Sequence, residues 1–207
     1  MTQREQLEQL IDEGNGYLSC REAAYRGISP QAVSLYAHEM GLVREARGLY
    51  RDPASWEDPL HVLQFRYPKL IFSHETALFL LGLSEREPAT VTATLATGTG
   101  SAALARDGVK VYKVRPDLLE LGLGVAETPF GHLVRCYDRE RTLVDLLRSR
   151  TTVDQQELLA ALKGYARSRR RDIPLLMRYA RAFSVERLLA TYLASTYGPH
   201  QEPRRQR

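Results

Sequence analysis

Three short segments contain residue types that enzymes use, and each corresponds to a different chemistry. The segment "YDRERTLVDLL" brings together the carboxylates of Asp138, Glu140 and Asp145, which could bind a divalent metal. The segment "FSHET" places a hydroxyl, an imidazole and a carboxylate in a row at residues 73–75, the groups of a nucleophile and its base. The segment "ATGTGS" follows a predicted strand and has the glycines of a phosphate loop.

Local structural roles account for these segments better than catalysis does. Adjacent side chains at the start of a helix point in different directions, so Ser73 and His74 should not form a relay, and Ser73 is predicted to cap the helix. Asp138 stands at an N-cap position, and Arg141 lies four residues before Asp145, within salt-bridge range. The glycine loop lacks the GKS/T ending. We therefore predict no catalytic residue, no metal and no cofactor, and keep a metal-dependent enzyme that uses the three carboxylates as an alternative.

The composition predicts a globular cytoplasmic protein of two domains. The chain has 207 residues, of which 43% are hydrophobic, enough to bury a core. The sequence has no long uninterrupted apolar run, and its start, "MTQREQLEQLIDEG", is too charged for a signal peptide, so no membrane partner is expected. Cys20 and Cys136 lie far apart without a CxxC partner, which predicts two buried thiols and neither a disulfide nor a zinc site.

The charge distribution limits what a DNA-binding interpretation can use. The net charge of +4 favours a polyanionic partner. Residues 1–60, however, contain six Arg and ten Asp or Glu, whereas residues 61–207 contain 23 basic and 15 acidic residues. DNA binding by the first part must therefore depend on the pattern of residues rather than on bulk charge.

The first part of the chain has the pattern of a winged helix-turn-helix. A first amphipathic helix ends near residues 14–16, and a short helix, "CREAAYR", follows a capping serine. A third helix is predicted from Pro30 to Met40, because Ser29 is a good N-cap, Pro suits the first helical position and Gly41 suits the stop. Two short helices joined by a tight turn form a helix-turn-helix, whose second helix enters the major groove. The strands "LVREA" and "GLYR" then form a hairpin, and the glycine at its bend permits a positive φ.

The third helix and the hairpin present the candidate DNA contacts. The helical period directs Val33, Tyr36, Ala37 and Met40 inward, and the hairpin should pack through Leu42, Val43, Leu49 and Tyr50. The outward residues can offer donors and acceptors to base edges, and they are Gln31, Ser34, Leu35 and His38. The hairpin arginines can pair with phosphates, and they are Arg44, Arg47 and Arg51. A winged helix used only for protein contacts is the alternative.

The remainder is predicted to be a separate α+β domain. The prolines and small polar residues of "RDPASWEDPLH" indicate a linker at residues 53–60, after a DNA-binding domain at residues 1–52. Residues 61–198 combine strand patterns such as "VKVYKV" with a helical end, giving a small sheet followed by helices. Residues 199–207 are polar and are expected to be a disordered tail.

A basic run near the C-terminus is the second candidate interaction site. Its cationic residues are Lys163, Arg167, Arg169, Arg170, Arg171, Arg178 and Arg181. Tyr165 and Tyr179 interleave with them, an arrangement that favours nucleic acid or another acidic partner. A solvated helix face is the alternative.

Three segments in their order resemble a known family. The segments "ISPQAVSLYAHEMGLVREARGLYR", "FSHETALFLLGLSER" and "YDRERTLVDLLRSR" resemble the AbiEi-type antitoxins of type IV toxin-antitoxin systems, which act in abortive infection as a phage defence. The resemblance extends from the second helix to about residue 197. It implies an N-terminal winged helix that represses its own operon and a C-terminal antitoxin domain.

The resemblance also implies partners and residue roles. The DNA partner would be the double-stranded DNA of the protein's own promoter, with inverted repeats, and the functional partner a nucleotidyltransferase-like toxin that is neutralised without a stable complex. Operator reading would fall on Ser29, Gln31, Ser34, Leu35 and His38, with Arg44, Arg47 and Arg51 on the wing. The basic run would belong to the antitoxin domain. A solitary winged-helix transcriptional regulator with no toxin beside it remains the alternative.

Overall fold

The chain has an α+β fold divided into two compact units. The computed structural model describes residues 2–196, so the predicted tail lies outside the described residues. The first unit consists of residues 1–70 and 126–134, and the second of residues 71–125 and 135–207. These bounds differ from the predicted ones, because residues 53–70 belong to the first unit rather than to a linker and a second domain. Within the described part, no helix is both long and apolar enough to cross a bilayer.

The first unit combines helices with a small antiparallel sheet. Its strands pair in the order β1-β3-β2. Its elements in chain order are α1 (Gln3–Glu13), β1 (Tyr17–Ser19), α2 (Cys20–Tyr25), α3 (Pro30–Glu39), β2 (Val43–Ala46), β3 (Leu49–Arg51) and α4 (Pro59–Arg66). The helices bury an apolar cluster that includes Leu7, Leu10, Leu18, Ala23, Ile28, Val33 and Tyr36. The predicted helices and hairpin are present, whereas β1 and α4 were not predicted.

The second unit is built on a mixed sheet with helices after it. The strand order is β6-β5-β4-β8-β7, with β5 parallel to β6 and antiparallel to β4. The elements of the sheet region are β4 (Ile71–Phe72), α5 (His74–Leu80), β5 (Thr92–Ala96), α6 (Ala102–Arg106), β6 (Lys110–Val114), α7 (Pro116–Leu119), β7 (Leu123–Glu127) and β8 (Leu133–Tyr137). The helices that follow are α8 (Arg139–Arg148), α9 (Gln155–Arg167), α10 (Ile173–Ala182) and α11 (Glu186–Thr196). The predicted small sheet and helical end are therefore present.

A buried guanidinium organises the centre of the second unit. Arg141 on α8 has no exposed surface, and its Nε donates to Asp145 at 3.0 Å. The guanidinium also donates to the carbonyls of Leu118 and Leu121, at 2.9 and 2.5 Å. A Cβ at Gly122 would lie 2.5 Å from the Cβ of Arg141, so only glycine permits this close approach.

A buried carboxylate organises the first unit in a similar way. Asp58 caps α4 by accepting from the N–H of His61 at 3.0 Å. Its second oxygen accepts from Thr128 Oγ1 at 2.5 Å and lies 2.7 Å from Nδ1 of His132. The backbone N–H of Asp58 donates to the hydroxyl of Tyr17 at 2.8 Å. Burial raises the pKa of the Asp58 carboxyl, but the hydrogen bonds from His132, Thr128 and His61 outweigh it and hold that pKa below its usual value.

We expect His61 to make the first unit less stable in acid. Burial, together with the neighbouring His132, lowers the pKa of His61 to about 4, whereas an unfolded histidine titrates near about 6.5. Between these values only the unfolded chain binds the proton, so stability falls as the pH falls through this window. His61→Phe keeps an aromatic ring against Tyr17 and His132 and should lose less stability between about pH 7 and about pH 5. Urea unfolding followed by circular dichroism measures the difference, and an equal loss in both proteins contradicts the prediction.

Candidate nucleic-acid interface

The outward face of α3 is formed as the helical period predicts. Ser29 caps the helix by accepting from the N–H of Ala32 at 3.2 Å, and Pro30 occupies the first turn. Val33, Tyr36 and Ala37 are buried. We call the exposed side the recognition face, and its residues are Gln31, Ser34, Leu35 and His38.

Two predicted packing residues are instead exposed. Met40 is 42% exposed because it lies one residue beyond the last helical residue of α3. Leu42 packs against the core just after it. Val43 is 40% exposed because it begins β2, which is an edge strand of the small sheet. The predictions that Met40 and Val43 pack inward are wrong.

The β2–β3 hairpin exposes two of its three arginines. Arg44 and Arg47 are exposed, and neither forms an ion pair within the described residues 2–196. Gly48 at the bend has a φ of 80°, which glycine adopts without the steric cost of a side chain. Two guanidinium groups are therefore available on the hairpin for phosphate oxygens or for a narrow groove.

The third hairpin arginine is buried, so the prediction that Arg51 faces a phosphate backbone is wrong. Its guanidinium donates to Glu45 at 2.7 Å and to Glu57 at 3.1 Å. It also donates to the backbone carbonyl of Ser55 at 2.7 Å, and the residue is 6% exposed. The strand period could have predicted this position, because Arg51 is two residues from buried Leu49 and therefore shares its face of β3. A bulge between Arg44 and Ala46 in β2 accompanies the pairing.

The recognition face offers three kinds of contact to a base edge. Gln31 can donate and accept at once, as bidentate contact with adenine requires. Ser34 and His38 add a hydroxyl and an imidazole. Leu35 is 61% exposed and could contact the methyl group of thymine. Ser29 has its hydroxyl oxygen engaged in the cap, and its proton can still be donated.

An exposed aromatic residue lies elsewhere on the first unit. Trp56 is 80% exposed and lines a cleft of about 520 Å³ with Phe130 and His132. The side-chain amide of Asn15 donates to the carbonyl of Phe130 in the same cleft. This surface has no clear signal in the sequence, because the pattern of residues 53–60 is that of a linker.

The basic run is exposed, but its tyrosines are not. The side chains of Lys163, Arg167, Arg169, Arg170, Arg171, Arg178 and Arg181 are all exposed, and we call this set the basic face. Tyr165 is fully buried and donates to Glu140 at 2.5 Å, and Tyr179 donates to Asp138 at 2.9 Å. The prediction of aromatic side chains interleaved with the basic face is therefore wrong, because both rings belong to the core.

The three candidate carboxylates are engaged by protein donors. Asp138 caps α8 by accepting from the N–H of Arg141 at 2.7 Å, as predicted. Asp145 lies 3.0 Å from both Arg141 and Arg148, which confirms the predicted ion pair and adds a second. Glu140 is buried against Tyr165. Within residues 2–196, no three His, Cys, Asp or Glu side chains form a group that could hold a metal.

The serine-histidine pair has a geometry that the sequence did not predict. Ser73 occupies the predicted N-cap position of α5, but its Oγ makes no capping hydrogen bond. The Oγ instead lies 2.9 Å from Nδ1 of His74, so the predicted separation of the two side chains is wrong. His74 has a φ of 52°, outside the ordinary helical range, so the side-chain directions of a regular helix start do not apply to it. Ser73 is fully buried, and the His74 ring stacks on Tyr112. Burial lowers the pKa of His74 well below its usual value. The Ser73 hydroxyl also accepts from Thr94 at 2.9 Å, and Nε2 of His74 lies 3.0 Å from Ser149 Oγ, so protein groups engage both side chains.

Comparison with known proteins identifies a shared fold. No family model matches the chain, and no curated protein matches it significantly. Among solved structures, the RV2827C protein from Mycobacterium tuberculosis is similar, with a TM-score of 0.59 and 16% sequence identity. The match covers 93% of this chain and 76% of that one. At this identity the likeness shows the fold alone.

We predict stability effects of very different size for Arg51 and Arg47 of the hairpin. Arg51→Ala removes a buried cation from Glu45 and Glu57 and should lower the free energy of unfolding by about 2–3 kcal/mol. Arg47→Ala truncates an exposed side chain and should change the free energy of unfolding by less than about 0.5 kcal/mol. Urea titration monitored by circular dichroism tests both variants. Equal midpoints for Arg51→Ala and the wild type would contradict the buried position.

Proposed function

We propose that the first unit contains a winged helix-turn-helix that binds DNA. The observation that carries the proposal is the recognition face of α3, a capped helix with a buried inner side and an exposed polar outer side. The preceding α2 and the following β2–β3 hairpin have the order that such a module requires. In this proposal α3 enters the major groove, and the hairpin lies along the phosphate backbone.

The few exposed cations of the first unit favour weak electrostatic binding to phosphates, with specificity coming from contacts to the bases. Because Arg51 is paired inside the fold, Arg44 and Arg47 remain as the hairpin cations. Each phosphate contact contributes a salt-dependent term to affinity, so few contacts give modest, salt-sensitive binding. Specificity then depends on the recognition face, where Gln31, Ser34 and His38 provide hydrogen-bonding groups.

We further propose that the protein represses its own operon and serves as the antitoxin of a type IV pair. This part depends on the resemblance to AbiEi-type antitoxins, and it assigns antitoxin activity to the second unit and its basic face. The toxin would be a nucleotidyltransferase-like protein that is neutralised without a stable complex, and the protein would act in the cytoplasm, where its promoter is. A basic surface suits an acidic partner such as nucleic acid.

We expect the full-length protein to prefer its own upstream DNA over a scrambled duplex. The full chain is the right reagent, because residues 1–52 alone lack Glu57 and Ser55, which hold Arg51. Gln31→Ala should reduce the preference by about tenfold or more, whereas Arg47→Ala should weaken binding to both duplexes alike. Gln9→Ala, an exposed change on α1, is the matched control. Fluorescence anisotropy at moderate salt measures the affinity for each duplex. Equal affinity of the wild type for both duplexes would overturn the repressor proposal.

We expect expression of the full chain to restore growth when a nucleotidyltransferase-like gene beside it is expressed. Replacing Arg169, Arg170 and Arg171 together with Gln should remove the rescue, because the substitutions neutralise the centre of the basic face. Arg106→Gln with Arg115→Gln changes exposed cations of the same unit and should leave the rescue intact. Growth curves of co-expressing cells measure the effect. A folded wild-type chain that fails to rescue would count against the antitoxin role.

A further inference from the structure

A cleft in the first unit gathers three arginines from three separate elements. Arg21 belongs to α2, Arg47 to the bend of the β2–β3 hairpin, and Arg66 to the end of α4. The cleft has a volume of about 570 Å³, and we call it the arginine cleft. Phe65 and Tyr67 form part of its wall. Positions 21, 47 and 66 are distant in sequence, so only the fold brings these cations together.

The electrostatics of the arginine cleft favour an anion. In the part of the chain that the structure describes, no Asp or Glu lines it. Within residues 2–196, neither Arg21 nor Arg47 forms an ion pair with a carboxylate. Cys20 also lines the cleft, and burial raises the pKa of its thiol, so no thiolate contributes negative charge near neutral pH. The cleft thus presents guanidinium groups without internal neutralisation at two of its three cationic positions.

Two of the guanidinium groups lie over aromatic rings of the cleft. Arg21 lies over the ring of Phe65, 5.5 Å from its centroid, and Arg66 lies 5.4 Å from the centroid of Tyr67. At these distances the face of each ring attracts the cation, and a guanidinium group carries its N–H donors in one plane. Such donors match the oxygens of a phosphate group. Contact with a ring also restricts the side chain before binding, so it loses less conformational entropy when a ligand binds.

The walls of the cleft leave room for a ligand that carries a phosphate. Ala46 contributes only a methyl group to the wall, and Gly48 has no side chain. A Cβ at Gly48 would lie 3.4 Å from the Cβ of Cys20, so the hairpin bend approaches α2 closely. The volume exceeds that of one phosphate group, which leaves space for the sugar of a nucleotide unit. Arg47 also belongs to the hairpin surface assigned to DNA.

We propose that the arginine cleft binds a phosphate of the DNA backbone, with Arg21 and Arg66 acting beside Arg47. The inference rests on the proposed DNA-binding function and extends the contact surface from the hairpin to α2 and α4. It replaces the contact expected from Arg51 with two cations that the sequence analysis did not identify. These contacts position the protein on the duplex and carry no base preference of their own.

The test is the salt dependence of DNA binding by the full chain. Arg21→Gln and Arg66→Gln should each reduce the slope of log affinity against log salt by about 1 and weaken binding by about tenfold at ~0.1 M salt. The preference for the upstream duplex over the scrambled one should stay unchanged. Arg21→Lys keeps the charge and should keep most of the slope. Arg4→Gln is the matched control, because Arg4 is exposed, lies outside the cleft and pairs with Glu8.

Each outcome supports or overturns the assignment. Unchanged slopes in Arg21→Gln and Arg66→Gln, with wild-type DNA binding intact, overturn the cleft and leave the proposed function standing. An equal loss in Arg4→Gln also overturns it, since the effect would then be one of bulk charge.

Calorimetric titration with adenosine 5′-monophosphate provides the second arm. Binding by the wild type that Arg21→Gln removes, together with unchanged salt slopes, would reassign the cleft to a free phosphorylated ligand. Absence of any wild-type DNA binding would refute the proposed function itself.

Discussion

A charge that leaves water must find its partners inside the protein, and both units of this fold depend on that constraint. In the first unit, the Asp58 carboxylate accepts from His61, Thr128 and His132, which fixes the start of α4 and the segment 126–134. In the second, Arg141 is held by Asp145 and by two backbone carbonyls. The exposed arginines remain hydrated and therefore need no partner inside the protein. Burial therefore separates the cations that maintain the fold from those that remain available to a ligand.

The elements with strong local signals could be predicted from the sequence. A capping serine, a first-turn proline and a terminal glycine place α3 to within one residue, because all three signals act over one helical turn. Helix α4 was not predicted, because the prolines and small polar residues around its start resemble a linker. Asp58 before Pro59 nevertheless has the pattern of a capped helix start. The membership of residues 126–134 in the first unit could not be predicted, since Thr128 and Asp58 are 70 positions apart.

Part of the candidate site could be predicted from local sequence patterns, and part depends on tertiary structure. The helical period alone identifies Gln31, Ser34, Leu35 and His38 as outward residues, and the structure exposes all four. Arg51 differs from the prediction because a charged residue near a hairpin bend is usually exposed, whereas the strand period places Arg51 on the buried face of Leu49. The arginine cleft has no sequence signal, because its cations come from α2, the hairpin and α4. Local patterns predict which way a side chain points, and only tertiary structure decides which side chains meet.

The exposure of Trp56 determines what its fluorescence can report. The chain has one tryptophan, and its indole is 80% exposed in the folded protein. A ring that is already in water emits at nearly the same wavelength after unfolding, so the emission maximum is a poor measure of whether the chain is folded. A molecule that covers the ring would instead shift the emission to shorter wavelength. The protein thus contains an intrinsic optical reporter of what binds beside Phe130 and His132.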